Sequence, residues 1–439
     1  MPKILSISAL KLRNLALFFF SILPGVMISP RGDVLESHRY ISPDGLDWIV
    51  EGRIIGNEGL VLPVLRNVGF VLSSRLDWIL GGHGIVFALV NILGLSLQGI
   101  SLTLFLDYFK VRLKFQTIGI FMYFGSWIHF SSMYVLPDAF AVGCLLFGTT
   151  FLLLNSSTSL NHILIPSVVF FVGSIFQFYT FAGFIFSIIL AKSWPNAMSA
   201  RVLRSFIVVL AATASICTTI IWRQSIPHLS VPSQFDLLEV SLNMLPFYSE
   251  VWASAFVVPL LALIGFAKLE NIRRAVRSPQ IRYFLFFGFS FLAMAFFYQW
   301  PDARIAYSGI SFILMALITM FLVSLSSTTE KMSSKGPRVS EGIWGITLFI
   351  ITLTIFLAPK DYWSPKLLET RPLNTWSLLM IREFFLNDYS NYKDIAGIIS
   401  NSCSDLGEKP RILDSINKSI YSPYEKTILK IYTRYPVCN

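Results

Sequence analysis

The sequence predicts an all-α polytopic membrane protein, and three observations predict it: little charge, many apolar residues and a series of long apolar runs. Of the 439 residues, 14% are charged and 54% are hydrophobic, whereas a soluble domain carries about 25% charged residues. The mean hydropathy is +0.64. Runs such as 85–106 and 305–325 have about the length that crosses a hydrocarbon core of about 30 Å as a helix. Because lipid offers no partners to backbone polar groups, such runs indicate helices rather than open strands.

We expect a bundle of roughly ten or eleven transmembrane helices. The ambiguous stretch is 162–192, where Gln177 and Gly183 interrupt the apolar residues. It fits either one tilted helix or two short helices that turn back, and we favour two because a single helix would place the later basic loops outside. The candidate spans are 14–29, 84–107, 115–134, 138–154, 162–176, 178–192, 203–222, 252–268, 283–299, 305–325 and 342–358.

The distribution of Lys and Arg predicts the orientation. Basic residues collect before the first span and in alternate loops, whereas the loops 223–251 and 300–304 hold one Arg each. This positive-inside pattern predicts a cytoplasmic N-terminus in a plasma or inner membrane. No small-x-small cleavage site follows the first apolar run, so we expect an uncleaved first span.

On this topology, two regions outside the spans lie on the extracytoplasmic side. Residues 1–358 form the membrane domain, which includes a first outer loop at 30–82, and residues 359–439 form a small extramembrane tail. The tail holds Cys403 and Cys438, and an oxidising compartment would allow a disulfide between them. Spacing alone does not show whether these two cysteines are close.

The dipeptide Pro-Asp occurs three times on the predicted outer side, at 43–44, 137–138 and 301–302. Pro favours the first position of a helix, and Asp in the first turn meets the positive end of the helix dipole. These dipeptides therefore fit simple helix starts. A functional interpretation also applies, because carboxylates close to a membrane are costly and tend to be functional.

The first outer loop contains a predicted amphipathic helix that begins at Ser42. Asp44, Asp47 and Glu51 line one of its faces, and apolar residues line another. Such a helix lies in the plane of the membrane interface, with its acidic stripe towards solvent or a polar cavity.

A third polar cluster covers 298–307, where Asp302, Arg304 and Tyr307 stand at the entrance to the span 305–325. An Arg at an outer entrance runs against the positive-inside bias. It either reaches lipid headgroups or clamps a phosphate, for which the bidentate guanidinium is suited.

Several other functions find no support in the sequence. It contains no Walker P-loop, no H-E-x-x-H, no C-x-x-C and no G-x-S-x-G. The five His are scattered, and no metal site is predicted from them. The net charge of +10 comes from residues spread among the spans, so membrane lipids explain it better than nucleic acid.

The layout resembles the GT-C superfamily of membrane glycosyltransferases. Asp44, Trp48, Gly59 and Arg66 are similar to the family's pattern in the first outer loop, although the family usually has Tyr at the position of Trp48. Residues 136–139 resemble its second outer acidic site, and 302–307 resemble its late Asp/Arg/Tyr entrance to a span.

The resemblance implies transfer of a sugar from a polyprenyl-phosphate lipid to a hydroxyl of a glycan or lipid acceptor, with inversion at the anomeric carbon. Asp44 is the expected catalytic base, with Asp47 as the second choice. Arg304, or else Arg66, would stabilise the departing phosphate. Asp138 would orient the acceptor or bind a divalent cation, and Asp302 and Tyr307 would complete the substrate site.

Two alternatives remain beside the transferase, in addition to a membrane protein without activity. A polysaccharide polymerase or ligase would share the outer face and the lipid-linked substrate, but such proteins tend to carry several Arg in an outer loop, and 223–251 holds only Arg223. A transporter or flippase of lipid-linked glycans usually shows internal repeats and ionisable groups at mid-membrane. No repeat is evident in this sequence.

Overall fold

The computed structural model describes the backbone of residues 2–28, 68–126, 128–129, 137–154, 160–183, 269–296 and 306–332, and short pieces at 185, 256, 259–260 and 262–264. This part of the chain is helical and contains no strand. A short 3₁₀ helix spans Phe178–Phe181. The α-helices are α1 Pro2–Ile28, α2 Val68–Ile79, α3 Ile85–Tyr108, α4 Leu113–Phe124, α5 Asp138–Leu154, α6 Leu160–Phe176, α7 Leu269–Val276, α8 Pro279–Phe296 and α9 Tyr307–Met332.

Among the described residues, two helices are long and apolar enough to cross a membrane: α3, and the segment Tyr307–Ser326 of α9. Helix α9 is almost entirely buried along this segment and contacts α4, α5, α7 and α8. Its position explains its composition, since a helix that is apolar on all sides must be surrounded by other apolar surface. The expected apolar helices at 84–107 and 305–325 are therefore confirmed as helices.

Helices α2 and α3 bury several polar side chains and at the same time expose apolar ones. In α2, Ser73 and Asp77 are buried, whereas Leu76 and Ile79 are 50% and 66% exposed. Helix α3 buries polar side chains such as Gln98 and exposes an apolar stripe: Ile85, Leu89, Leu93, Ile100 and Leu104. Contiguous exposed apolar surface of this kind marks contact with a membrane or another apolar partner.

Helices α4 and α5 follow one another along α3 in the same direction, with a break between them. This arrangement differs from the predicted topology, in which they were two separate spans. Gln116 near the start of α4 contacts Asp107, Tyr123 near its end contacts Gln98, and Gly143 of α5 lies against Gly94. Both helices therefore run antiparallel to α3, one after the other. The predicted spans 115–134 and 138–154 were expected to cross in opposite directions, and this expectation was wrong.

The residues between α4 and α5 explain why α4 is shorter than the predicted span. Helix α4 ends at Phe124, ten residues before the predicted end of its span, and Gly125 caps it. Polar residues that follow, Ser126 and His129, are buried in the protein. Non-helical backbone at membrane depth is tolerated where other protein segments surround it.

The predicted break at Gln177 is confirmed. Helix α6 ends at Phe176, and Gln177 has extended backbone angles. The chain then folds back along α6, because Thr180 lies against Gly173 and Gly183 lies against Phe170. The remainder of the predicted second helix, beyond residue 185, lies outside the described residues.

Small residues allow α3 and α5 to approach closely. A methyl group added at Gly143 would overlap the carbonyl oxygen of Gly94, and one added at Gly94 would overlap the backbone of Ala139. Such small-residue interfaces are typical of helices that pack in membranes, where close backbone approach replaces the hydrophobic driving force. This contact fixes the height of the first turn of α5 relative to α3.

Candidate functional site

Three helix ends meet near the middle of α3. Helix α4 ends, and α5 and α9 begin, at the level of Gln98. At about 1.5 Å per residue, Gln98 lies about 20 Å from the Ile85 end of α3 and about 15 Å from the Tyr108 end. The polar groups that gather here are therefore enclosed at mid-height in the bundle.

The side-chain amide of Gln98 joins these helix ends. Its Nε2 donates to the carbonyl oxygen of Ala139 at 2.9 Å and to the Tyr307 hydroxyl at 3.0 Å, and its Oε1 accepts from the Tyr123 hydroxyl at 3.0 Å. A carbonyl oxygen can only accept, so the contact with Ala139 fixes which end of the amide carries nitrogen. Gln98 is fully buried, and its bonds hold α3, α4, α5 and α9 in one arrangement.

The Tyr307 hydroxyl continues the network to His129. The hydroxyl oxygen lies 2.9 Å from Nδ1 of His129. The Tyr307 hydroxyl also lies 3.2 Å from Oε1 of Gln98, so its single proton can serve either Nδ1 of His129 or that amide oxygen. The hydroxyl therefore links the amide of Gln98 to the imidazole of His129 through one continuous set of hydrogen bonds.

Asp138 is the first residue of α5 and is 7% exposed. The carbonyl oxygen of Pro137 accepts from the amides of Phe140 and Ala141, so the Pro-Asp dipeptide starts a helix as predicted. The adjacent residue, Ala139, accepts from Gln98, which also binds Tyr307. The start of α5, where Asp138 lies, is therefore linked to Tyr307 through hydrogen bonds of Gln98. The Asp138 carboxylate lies at the positive end of the α5 dipole.

The predicted site residues divide into two groups. Asp138 and Tyr307 stand at helix starts that meet at Gln98. Because Gln98 lies near the middle of α3, the predicted position of residues 137–138 on the outer side of the bundle was wrong. The other predicted residues lie outside the described part of the chain: Asp44, Asp47, Arg66, Asp302 and Arg304. Cys403 and Cys438 also lie outside it, and Cys144 is buried and free.

Sequence reasoning did not single out Gln98, Tyr123 or His129 as site residues. A usable signal did exist for Gln98, because it is a large amide inside a long apolar helix, where polar side chains usually bond across helices. Tyr123 gave no such signal, since a Tyr in a membrane helix also fits the interfacial belt.

A second buried carboxylate, Asp77, has a structural role instead. Its two oxygens accept from the amides of Gly84 and Val86 at 2.9 and 3.0 Å. These are backbone donors at the start of α3 that have no partner within the helix. The intervening turn has positive φ angles at Gly81, Gly82 and Gly84, which favour glycine.

Within the described residues, no group of three His, Cys, Asp or Glu side chains is arranged to hold a metal ion. A divalent cation at Asp138 therefore stays a prediction. Comparison of the chain with protein-family models, with curated proteins and with solved structures finds no match in any of the three.

Proposed function

We propose that this protein is an integral membrane glycosyltransferase that transfers a sugar from a polyprenyl-phosphate lipid to an acceptor hydroxyl on the non-cytoplasmic face. One observation carries the proposal. Asp138 and Tyr307, assigned to one site from distant parts of the sequence, belong to helix starts that share the Gln98 amide. The exposed apolar surface of α2 and α3, which includes Leu72, Leu76, Leu89 and Leu93, supports the membrane location, because Asp77 and Gln98 of the same helices are buried.

In the proposed reaction, the acceptor oxygen attacks the anomeric carbon while the bond from that carbon to the phosphate oxygen breaks. The phosphate leaves with the bonding electron pair, and the acceptor proton passes to the carboxylate of Asp44. Arg304, or else Arg66, stabilises the charge on the departing phosphate. Asp138 orients the acceptor. The Tyr307 hydroxyl, which is hydrogen-bonded to Gln98 and His129, holds the start of α9 next to the start of α5.

The test is transfer by the purified full-length protein, given a panel of labelled polyprenyl-phosphate sugars and a membrane glycolipid fraction as acceptor. We expect labelled product from the native chain and a loss of at least about 100-fold for Asp44→Asn, which removes the base. Asp138→Asn should lose about 100-fold as well, because it removes the carboxylate that orients the acceptor. Asp107→Asn is the matched control, because Asp107 is 53% exposed and lies near the Tyr108 end of α3, away from Gln98. Full transfer by Asp44→Asn would remove that residue from the role of base.

A second candidate is a transporter or flippase of lipid-linked glycans, and the interrupted α4–α5 path favours it. Half-length helices that meet at mid-membrane commonly surround the binding sites of transporters. The two candidates separate in sealed liposomes that carry a fluorescent lipid-linked sugar. Movement of the label between leaflets without a new glycosidic bond indicates transport, whereas a new bond indicates transfer.

A further inference from the structure

The end of the bundle near Tyr108 carries a cluster of exposed cations. We call this cluster the basic surface, and it consists of Arg273, Arg274, Arg277, Arg282, Lys110 and Arg112. The Gln280 side chain donates to the Tyr108 hydroxyl at 2.8 Å and so joins the start of α8 to the end of α3. The cations that follow Tyr108 in the chain therefore lie at the same end of the bundle as those of α7 and α8.

Helix α7 presents its arginines away from the protein. Ala275 is buried in the core, and Ile272 and Val276 pack against it. Arg273, Arg274 and Arg277 occupy the opposite side and are exposed. Short helices of this type, apolar on one face and basic on the other, lie at the boundary between lipid and water.

The outward faces of α3 and α8 locate that boundary. On α8 the exposed residues change from Arg282 to Phe286 and Phe289, which are 54% and 59% exposed. On α3 the apolar stripe ends at Leu104 and is followed by Tyr108, which is 45% exposed. Tyr is enriched where hydrocarbon meets headgroups, so the basic surface begins at headgroup level.

Among the described residues, the acidic side chains Asp107 and Glu270 lie at this end of the bundle in ion pairs. Asp107 lies 3.8 Å from Arg13, and Glu270 lies 3.5 Å from Arg274 in a highly exposed pair that contributes little. Partial burial and the charge of Arg112 lower the pKa of Lys114 from its ordinary value. An external anion would relieve this crowding of like charges.

We propose that the basic surface binds the phosphate groups of anionic phospholipids in the leaflet at the Tyr108 end of the bundle. Guanidinium groups suit phosphate because they donate two parallel hydrogen bonds. The adjoining phenylalanines of α8 offer apolar contact to the acyl chains of the same lipid. The proposal rests on the membrane location alone and is independent of sugar transfer.

The experiment compares phosphatidylglycerol with phosphatidylcholine, each added to the full-length protein in non-ionic detergent. We expect phosphatidylglycerol to raise the midpoint of thermal unfolding above that in phosphatidylcholine, and native mass spectrometry to show retained phosphatidylglycerol. The variant R273Q/R274Q/R277Q should lose at least about tenfold in affinity for phosphatidylglycerol, because each cation near an anionic headgroup contributes to binding. Equal effects of the two lipids on the native protein would overturn the proposal.

Three further arms keep the result interpretable. R273K/R274K/R277K keeps the charges but loses the paired guanidinium donors, so it should retain part of the phosphatidylglycerol preference. Complete loss of that preference in a folded Lys variant would exclude an electrostatic site. Arg75→Gln removes one charge near the other end of α3 and should leave the difference between the lipids unchanged. Soluble glycerol phosphate should not reproduce the stabilisation, and an equal effect from it would overturn the assignment to a lipid surface.

Discussion

The amide nitrogen of Gln98 lies 3.0 Å from the hydroxyl oxygen of Tyr307 and bridges a sequence separation of 209 residues. Both side chains are buried, at 0% and 1% exposure. The same nitrogen binds the carbonyl oxygen next to Asp138. One amide therefore sets the relative positions of two helix starts that the proposed site requires.

Gln98→Leu should destabilise the protein strongly, although it preserves apolar bulk. The Ala139 carbonyl and the Tyr123 and Tyr307 hydroxyls would each lose a bond, at about 1–3 kcal/mol for each buried group left without a partner. The measurement is the free energy of unfolding in mixed micelles. Gln280→Leu is the matched control and should cost about 1 kcal/mol or less, because its bond to Tyr108 is exposed. Similar losses for both variants would contradict a central role for Gln98.

Gly143→Ala should be far more damaging than Gly119→Ala. The added methyl group at position 143 would overlap a backbone oxygen of α3, which cannot move without shifting a helix. At position 119 it would meet the flexible end of Leu322, at 2.8 Å. We expect about 1–3 kcal/mol of overpacking cost or more at 143 and less at 119, read from unfolding midpoints. The reverse order would show that α3 and α5 are not in this contact.

Gln116 and Asp107 belong to one cluster with Arg13 but should differ in their effect on stability. Gln116 is buried, accepts from Arg13 at 2.8 Å and donates to the Val111 carbonyl at 2.9 Å. Gln116→Leu should therefore cost about 1–3 kcal/mol. Asp107→Asn should cost about 1 kcal/mol or less, because the Asp107 side chain is 53% exposed and lies 3.8 Å from Arg13. Unfolding of both variants at low and high salt checks this, and a larger loss at Asp107 would count against it.

Leu76 should face lipid if the protein lies in a membrane as proposed. Leu76→Cys, in a chain whose native cysteines are replaced, provides a site for a nitroxide label. In liposomes we expect that label to be relaxed by oxygen, which concentrates in hydrocarbon, more than by a water-soluble nickel complex. Arg277→Cys should show the opposite order, since it lies on the basic surface. A label at 76 that responds mainly to nickel would contradict the membrane location of α2.

Much of the local structure could be predicted from sequence because it depends on neighbouring residues. The start of α5 at Asp138 follows from Pro-Asp, and the end of α6 follows from Gln177. The end of α4 could not be predicted in this way. Residues 125–134 mix large apolar side chains with Gly, Ser and His, so their local pattern leaves the end of the helix open. The stop goes together with the burial of Ser126 and His129 among other segments.

The sequence by itself determined that most of the described segments are apolar helices and where along the chain the cations cluster, because hydropathy and charge are sums over neighbouring side chains. Only the tertiary structure decided that α4 and α5 run in the same direction and that Gln98, Tyr123, His129 and Tyr307 form one network. The physical reason is that a hydrogen bond depends on distances between groups far apart in the chain. Those distances are set by close backbone packing, such as that of Gly94 on Gly143, which no local pattern encodes.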